Sequence, residues 1–168
     1  MRHFLGIGLV ILGLAPPPSG AAAQVPTASE ALEEIRSISV RAELIGGSLP
    51  DAGRITRLLD DVLRQELDRA DILFERGEPR AGDCCLLRLE VRLAQGSGRS
   101  RFGTGYTARL ELGYLDRLGN IPTWTIIWTG RMVGNIVERS ELADNLRFSA
   151  RELAGDFIDL YRERFPRR

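Results

Sequence analysis

The chain has 168 residues with 23 basic and 23 acidic side chains, so its formal charge is zero. Every basic residue is Arg, and the single histidine, His3, stands near the amino terminus. A balanced charge argues against a dedicated nucleic-acid binder. A chain with no Lys and no internal His also has no Ser-His-Asp triad, imidazole metal ligand, Schiff-base lysine or P-loop lysine.

Met1-Arg2-His3 precedes an apolar run from Phe4 to Leu14, followed by a Pro-rich stretch and Ala21-Ala22-Ala23. A basic start, a short apolar core and an Ala-x-Ala site predict a signal peptide over 1–23, cleaved after Ala23. The apolar run is far shorter than the roughly 20 residues a membrane span needs. The mature chain would then begin at Gln24, which offers no Cys for lipid attachment. It is expected in the periplasm or secreted, with no membrane span after cleavage. Residues 24–36 read as a flexible leader and 37–166 as a single domain, of a size that buries roughly 70% of its unfolded surface.

Ile38, Val40, Ala42 and Leu44 alternate with Ser39, Arg41 and Glu43, the period of a half-buried strand. Gly46-Gly47 ends it. Ser48-Leu49-Pro50-Asp51 has the form of a capping box with Pro in the first turn. Ile55, Leu58, Leu59, Val62, Leu63 and Leu67 then recur at three- and four-residue spacing, predicting an amphipathic helix to about Ala70. Residues 76–83 form a turn-rich loop.

Three strands follow between Cys84 and Val133. In the first, Cys85, Leu87, Leu89, Val91 and Leu93 alternate with Arg88, Glu90 and Arg92. In the second, Tyr106, Ala108, Leu110, Leu112 and Tyr114 alternate with Thr107, Arg109 and Glu111. In the third, Trp124, Ile126 and Trp128 alternate with Thr residues, which puts both indoles on one apolar face. The first link, Gly96–Gly105, is long and Gly-rich; the second, Asp116–Asn120, has the composition of a hairpin turn with Gly or Asn at positive φ. A last helix starts near Ser140 and carries Leu142, Leu146, Ala150, Leu153, Phe157, Leu160 and Tyr161 on one stripe. The predicted fold is an α+β two-layer sandwich ordered strand-helix-strand-strand-strand-helix. Two helices cover one face of a four-stranded sheet, and the Arg/Glu/Thr face is left to water.

Candidate chemistry is sparse. Loop residues Arg99, Arg101 and Phe102 could grip an anion or a partner's carboxylate together with Gly N–H groups; a plain solvent connection has the same composition. Cys84 and Cys85 are adjacent, about 3.8 Å apart at Cα and below the usual disulfide window. They are read as an outward edge thiol and a buried thiol. The alternatives are a redox-labile vicinal bridge or an intermolecular bridge through Cys84. The Arg88, Glu90, Arg92, Arg109 and Glu111 face reads as cross-strand ion pairs in water. No metal site, cofactor or acid/base constellation is expected, and therefore no enzyme.

The Leu-rich helix Ile55–Ala70, the strand pair joined at Asp116-Arg117-Leu118-Gly119-Asn120, Trp128-Thr129-Gly130 and a final helix with Leu142-Ala143 and Leu153-Ala154 resemble small bacterial envelope accessory domains. The amino-terminal domain of TolB and LptE-like proteins are of this kind. The resemblance implies a non-enzymatic periplasmic adaptor. The expected partner is another cell-envelope protein, a homodimer is left open, and the charge balance leaves no nucleic acid among the partners. The competing reading is a small-ligand or glycan module using the Gly96–Gly105 loop and the Trp pair.

Overall fold

A computed structural model describes residues 38–47, 49–75, 84–94, 103–118 and 121–164. The elements run β1 (Ile38–Ile45), α1 (Ala52–Arg69), β2 (Phe74–Glu75), β3 (Cys84–Ala94), β4 (Thr104–Leu118), β5 (Ile121–Val137) and α2 (Leu142–Arg164). The five strands form one sheet in the order β2-β1-β3-β4-β5. β3, β4 and β5 make the antiparallel meander that the alternation predicts. β1 lies parallel to β2 on one side and β3 on the other. Parallel neighbours need a crossover connection, and α1 supplies it.

Both helices cover the same face. α1 lies on β1, α2 lies on β4 and β5, and the helices pack on each other. The alternating residues Leu87, Leu89, Leu110 and Leu112 are at most 1% exposed, beneath Leu59, Leu63, Leu146, Leu153 and Phe157. A polar pair sits in this layer: the Tyr106 and Ser149 hydroxyls hydrogen-bond at 3.0 Å, which satisfies both where water cannot reach.

The structure departs from the predicted architecture in two places, the strand count and the start of α1. The sheet has five strands, because β2 adds two residues outside β1; two residues are too few to show a period. The chain reaches β2 through a Schellman turn, in which the Ile72 N–H donates to Leu67 C=O at 3.0 Å and the Asp71 N–H to Asp68 C=O at 3.1 Å. Asp71 takes the left-handed conformation there, at φ 55°, where glycine is the usual signal. At the start of α1, Asp51 itself is the N-cap and makes no side-chain capping bond. Its carboxylate turns instead to Arg54 at 2.9 Å, which holds it below the ordinary carboxylate range. Ser48 lies outside the described residues, as do Gly119 and Asn120 of the second link.

One edge of the sheet is closed by a helix side chain. β2 covers only Ile38 and Ser39 of β1. Further along, the Ala42 N–H donates to Asp60 of α1 at 2.5 Å. A carboxylate thereby takes an edge N–H that an incoming strand would otherwise use. Burial pushes the Asp60 carboxyl above its ordinary 3.8, against the lowering effect of the Ala42 bond. The stability this contributes is present below 3.8 and is lost as pH rises through the folded value. Asp60→Asn keeps an acceptor for Ala42 and should unfold in urea at a midpoint equal to or above that of the parent at pH 7, with the gap closing by pH 3. Asp60→Ala should lose about 1–3 kcal/mol at both pH values, because the Ala42 N–H is left without a partner.

Candidate functional site

Of the residues singled out from sequence, Arg99, Arg101 and Phe102 lie outside the described residues. Gly103 of the same link is among the described residues, at φ 87°. A Cβ there would strike the Val137 carbonyl, so only glycine fits where β4 begins against the end of β5. Cys85 is 1% exposed and is disulfide-bonded rather than a free thiol, and the chain's only other cysteine is Cys84. The expected pair of thiols on opposite faces assumed a regular strand. The β3–β4 register shifts between Cys84 and Leu86, so the strand is not regular there.

The face away from the helices is not the simple wet surface that the alternation suggests. Glu111, directly between Leu110 and Leu112, is 0% exposed, and Glu90 is 6% exposed. Arg88 donates to Glu111 Oε2 at 2.6 Å. Arg109 Nη2 stands 2.6 Å from Glu111 Oε1, off hydrogen-bond alignment. Arg92 donates to Glu90 at 2.6 Å, which holds its guanidinium above the ordinary range. Arg88 also approaches Glu43 at 3.6 Å and Glu90 at 3.5 Å. The carboxylates lie underneath and the guanidiniums of Arg92 and Arg109 lie outermost. Cross-strand pairing was legible from the alternation; the burial was not.

The two tryptophans, expected on one face, are on opposite faces. Leu112 pairs with Trp128 and Gly113 with Ile126, so Ile127 is an extra residue on β5. A bulge of this kind reverses the alternation beyond it. Trp128 therefore packs into the core against Phe157, with ring centroids 5.6 Å apart. Trp124 lies on the open face, its ring 5.1 Å from the Arg88 guanidinium and so close over Gly113 that a Cβ there would sit 2.7 Å from the indole. A paired-indole platform for a sugar ring is not formed.

A second shift falls between Arg109↔Met132 and Glu111↔Thr129, again with the extra residue on β5. Arg131 there reaches across to α2, donating to Asp156 at 2.7 Å and Glu152 at 2.5 Å. These carboxylates, Asp156 foremost, raise its guanidinium above the ordinary range. On the open side Met132 is 65% and Ile136 66% exposed, and Ile126 is 43% exposed. Met132 and Ile136 each border a shallow groove, about 320 Å³ beside Glu90, Arg92, Thr107 and Arg109 and about 670 Å³ over Gly105 and Gly134. Among the described residues nothing pairs with the outer edge of β5. That strand is 17 residues long and carries one charge, Arg131.

Among the described residues no cluster of three or more His, Cys, Asp or Glu could hold a metal ion, and no helix is long and apolar enough to cross a membrane. No family model matches the chain, and no curated protein matches it. Among solved structures it is similar to a candidate lipoprotein from Caulobacter crescentus CB15, with 16% identity and a TM-score of 0.32 over 80% of this chain and 91% of that one. It is also similar to a minor lipoprotein from Acinetobacter baumannii, with 18% identity and a TM-score of 0.29 over 75% and 94% of the two chains.

The buried network makes a sharp prediction. Glu111→Ala should cost about 3–5 kcal/mol in urea unfolding, since it takes the carboxylate from the largely buried Arg88 guanidinium and leaves a gap beneath it. The joint change Arg88→Met with Glu111→Leu should cost much less, because Arg109 still reaches Glu90 and water.

Proposed function

We propose that this chain is a non-enzymatic adaptor domain of the cell envelope, exported to the periplasm, which binds another envelope protein by taking an extended segment of it onto the edge of β5. The observation that supports this most directly is the contrast between the two ends of the sheet. The β1 side is closed by β2 and by the Asp60 carboxylate on Ala42 N–H. The β5 side offers a strand of 17 residues with a single charge. Edge strands of soluble proteins are ordinarily short, charged or covered. β5 is long and nearly uncharged, with its two bulges and Pro122 as its protective devices, and such a run is suited to strand addition, in which main-chain hydrogen bonds supply affinity and alternate side chains supply selectivity. Arg131, the one charge, is held by Glu152 and Asp156 rather than guarding the edge.

Ile126, Met132 and Ile136 then act as the apolar contacts flanking the added strand. Crosslinking in the periplasm followed by identification of the captured envelope protein tests this. Met132→Lys combined with Ile136→Lys should reduce capture at least tenfold. Leu73→Lys, at a residue 74% exposed but away from β5, should leave capture intact. Equal capture by all three chains would remove β5 as the contact.

A further inference from the structure

The two irregularities of β5 have a symmetry that bears on which strand its edge can take. On the open face lie Trp124, over Arg88, Ile126, paired to Gly113, Thr129, paired to Glu111, Met132, paired to Arg109, and Gly134, paired to Thr107. On the helix face lie Trp128, against Phe157, Arg131, against Glu152 and Asp156, Val133, paired to buried Ala108, and Asn135, 3.5 Å from Asn145 of α2. Ile127 also packs on the core. One extra residue falls on each side of Thr129, so the pattern of faces reads the same in both directions from it. Ile126 matches Met132, Trp124 matches Gly134, Thr125 matches Val133, and Ile127 matches Arg131. A bulge normally spoils an edge for pairing, because a partner strand of regular period falls out of phase with it. An identical strand laid antiparallel about Thr129 stays in phase, since its own extra residues fall opposite.

From this we infer that the β5 edge takes the β5 strand of a second copy, related by a two-fold axis through Thr129, joining two five-stranded sheets into one. The inference rests on the reading of β5 as an edge that accepts a strand and names its occupant. A two-fold interface must be self-complementary, and this one is. Exposed Ile126 of each copy meets exposed Met132 of the other, and Thr129 meets its own equivalent on the axis. The side chain of Trp124 comes opposite Gly134, which has none. Arg131 is already held by two carboxylates and faces Ile127 across the axis, so no like charges meet. Three of the six large apolar side chains exposed among the described residues, Ile126, Met132 and Ile136, lie on this one strand. A protein partner competes with the second copy for the same main-chain groups.

The test is light scattering coupled to size exclusion on the exported, purified chain over a dilution series, together with cysteine pairing. The expected mass is twice that of the monomer, falling to that of the monomer in Met132→Lys. Thr129→Cys should link to itself under mild oxidation. Ile126→Cys and Met132→Cys should remain unlinked alone and link when mixed, which reports the register. All three positions are at the surface, so loss of folding does not confuse the result. A monomer at every concentration, or a dimer that survives Met132→Lys without these links, overturns the inference. If the chain is monomeric while Met132→Lys with Ile136→Lys still abolishes capture of an envelope protein, the second copy is excluded and the strand-accepting edge stands. If the dimer forms as described and capture is unaffected by those substitutions, the second copy stands and the adaptor reading of the edge falls.

Discussion

The register between β3 and β4 is pinned from both sides of the sheet, and everything else depends on it. Leu87↔Leu112 and Leu89↔Leu110 fill the layer under the helices, while Arg88↔Glu111 and Glu90↔Arg109 close the other side. Glu111 is as fully buried as the leucines on either side of it. A slip of one residue would drive that carboxylate into the core and expose the leucines. Few strand pairs carry a penalty on both faces. Here the ionic residues penalise a slipped register from one side of the sheet as the leucines do from the other.

The pinned register explains which parts of the fold were legible in the sequence. Alternation in β3 and in most of β4 is strict, so the apolar face, the meander and the two covering helices follow directly from period and composition. The same counting fails in β5, where two inserted residues each reverse the phase. Nothing in Trp124-Thr125-Ile126-Ile127-Trp128 marks the insertion except the doubled Ile, which continuous burial would explain equally well. The bulge is set by Gly113 opposite, whose missing side chain leaves the space that the Trp124 indole occupies. That is a relation between strands, and no window along one strand contains it.

The candidate site was hidden for a related reason. The sequence draws attention to Gly-rich loops and adjacent cysteines, which are conspicuous one residue at a time. An edge is a property of strand order. Met132 and Ile136 become informative only once β5 is known to be terminal, and the closure of the other side by Asp60 depends on a helix crossing β1. The Gly96–Gly105 link still matters to the geometry, because its end at Gly103 sets β4 against the last residue of β5.

The carboxylate seated on Ala42 has a consequence for assembly. A sheet with two receptive margins can add units without end, as fibrils do. With one margin stoppered, a molecule that takes a strand at β5, as proposed, takes one and offers no equivalent edge to the next arrival. On that reading growth stops at the first addition, and a strand as long and as sparsely charged as β5 is carried without seeding polymer.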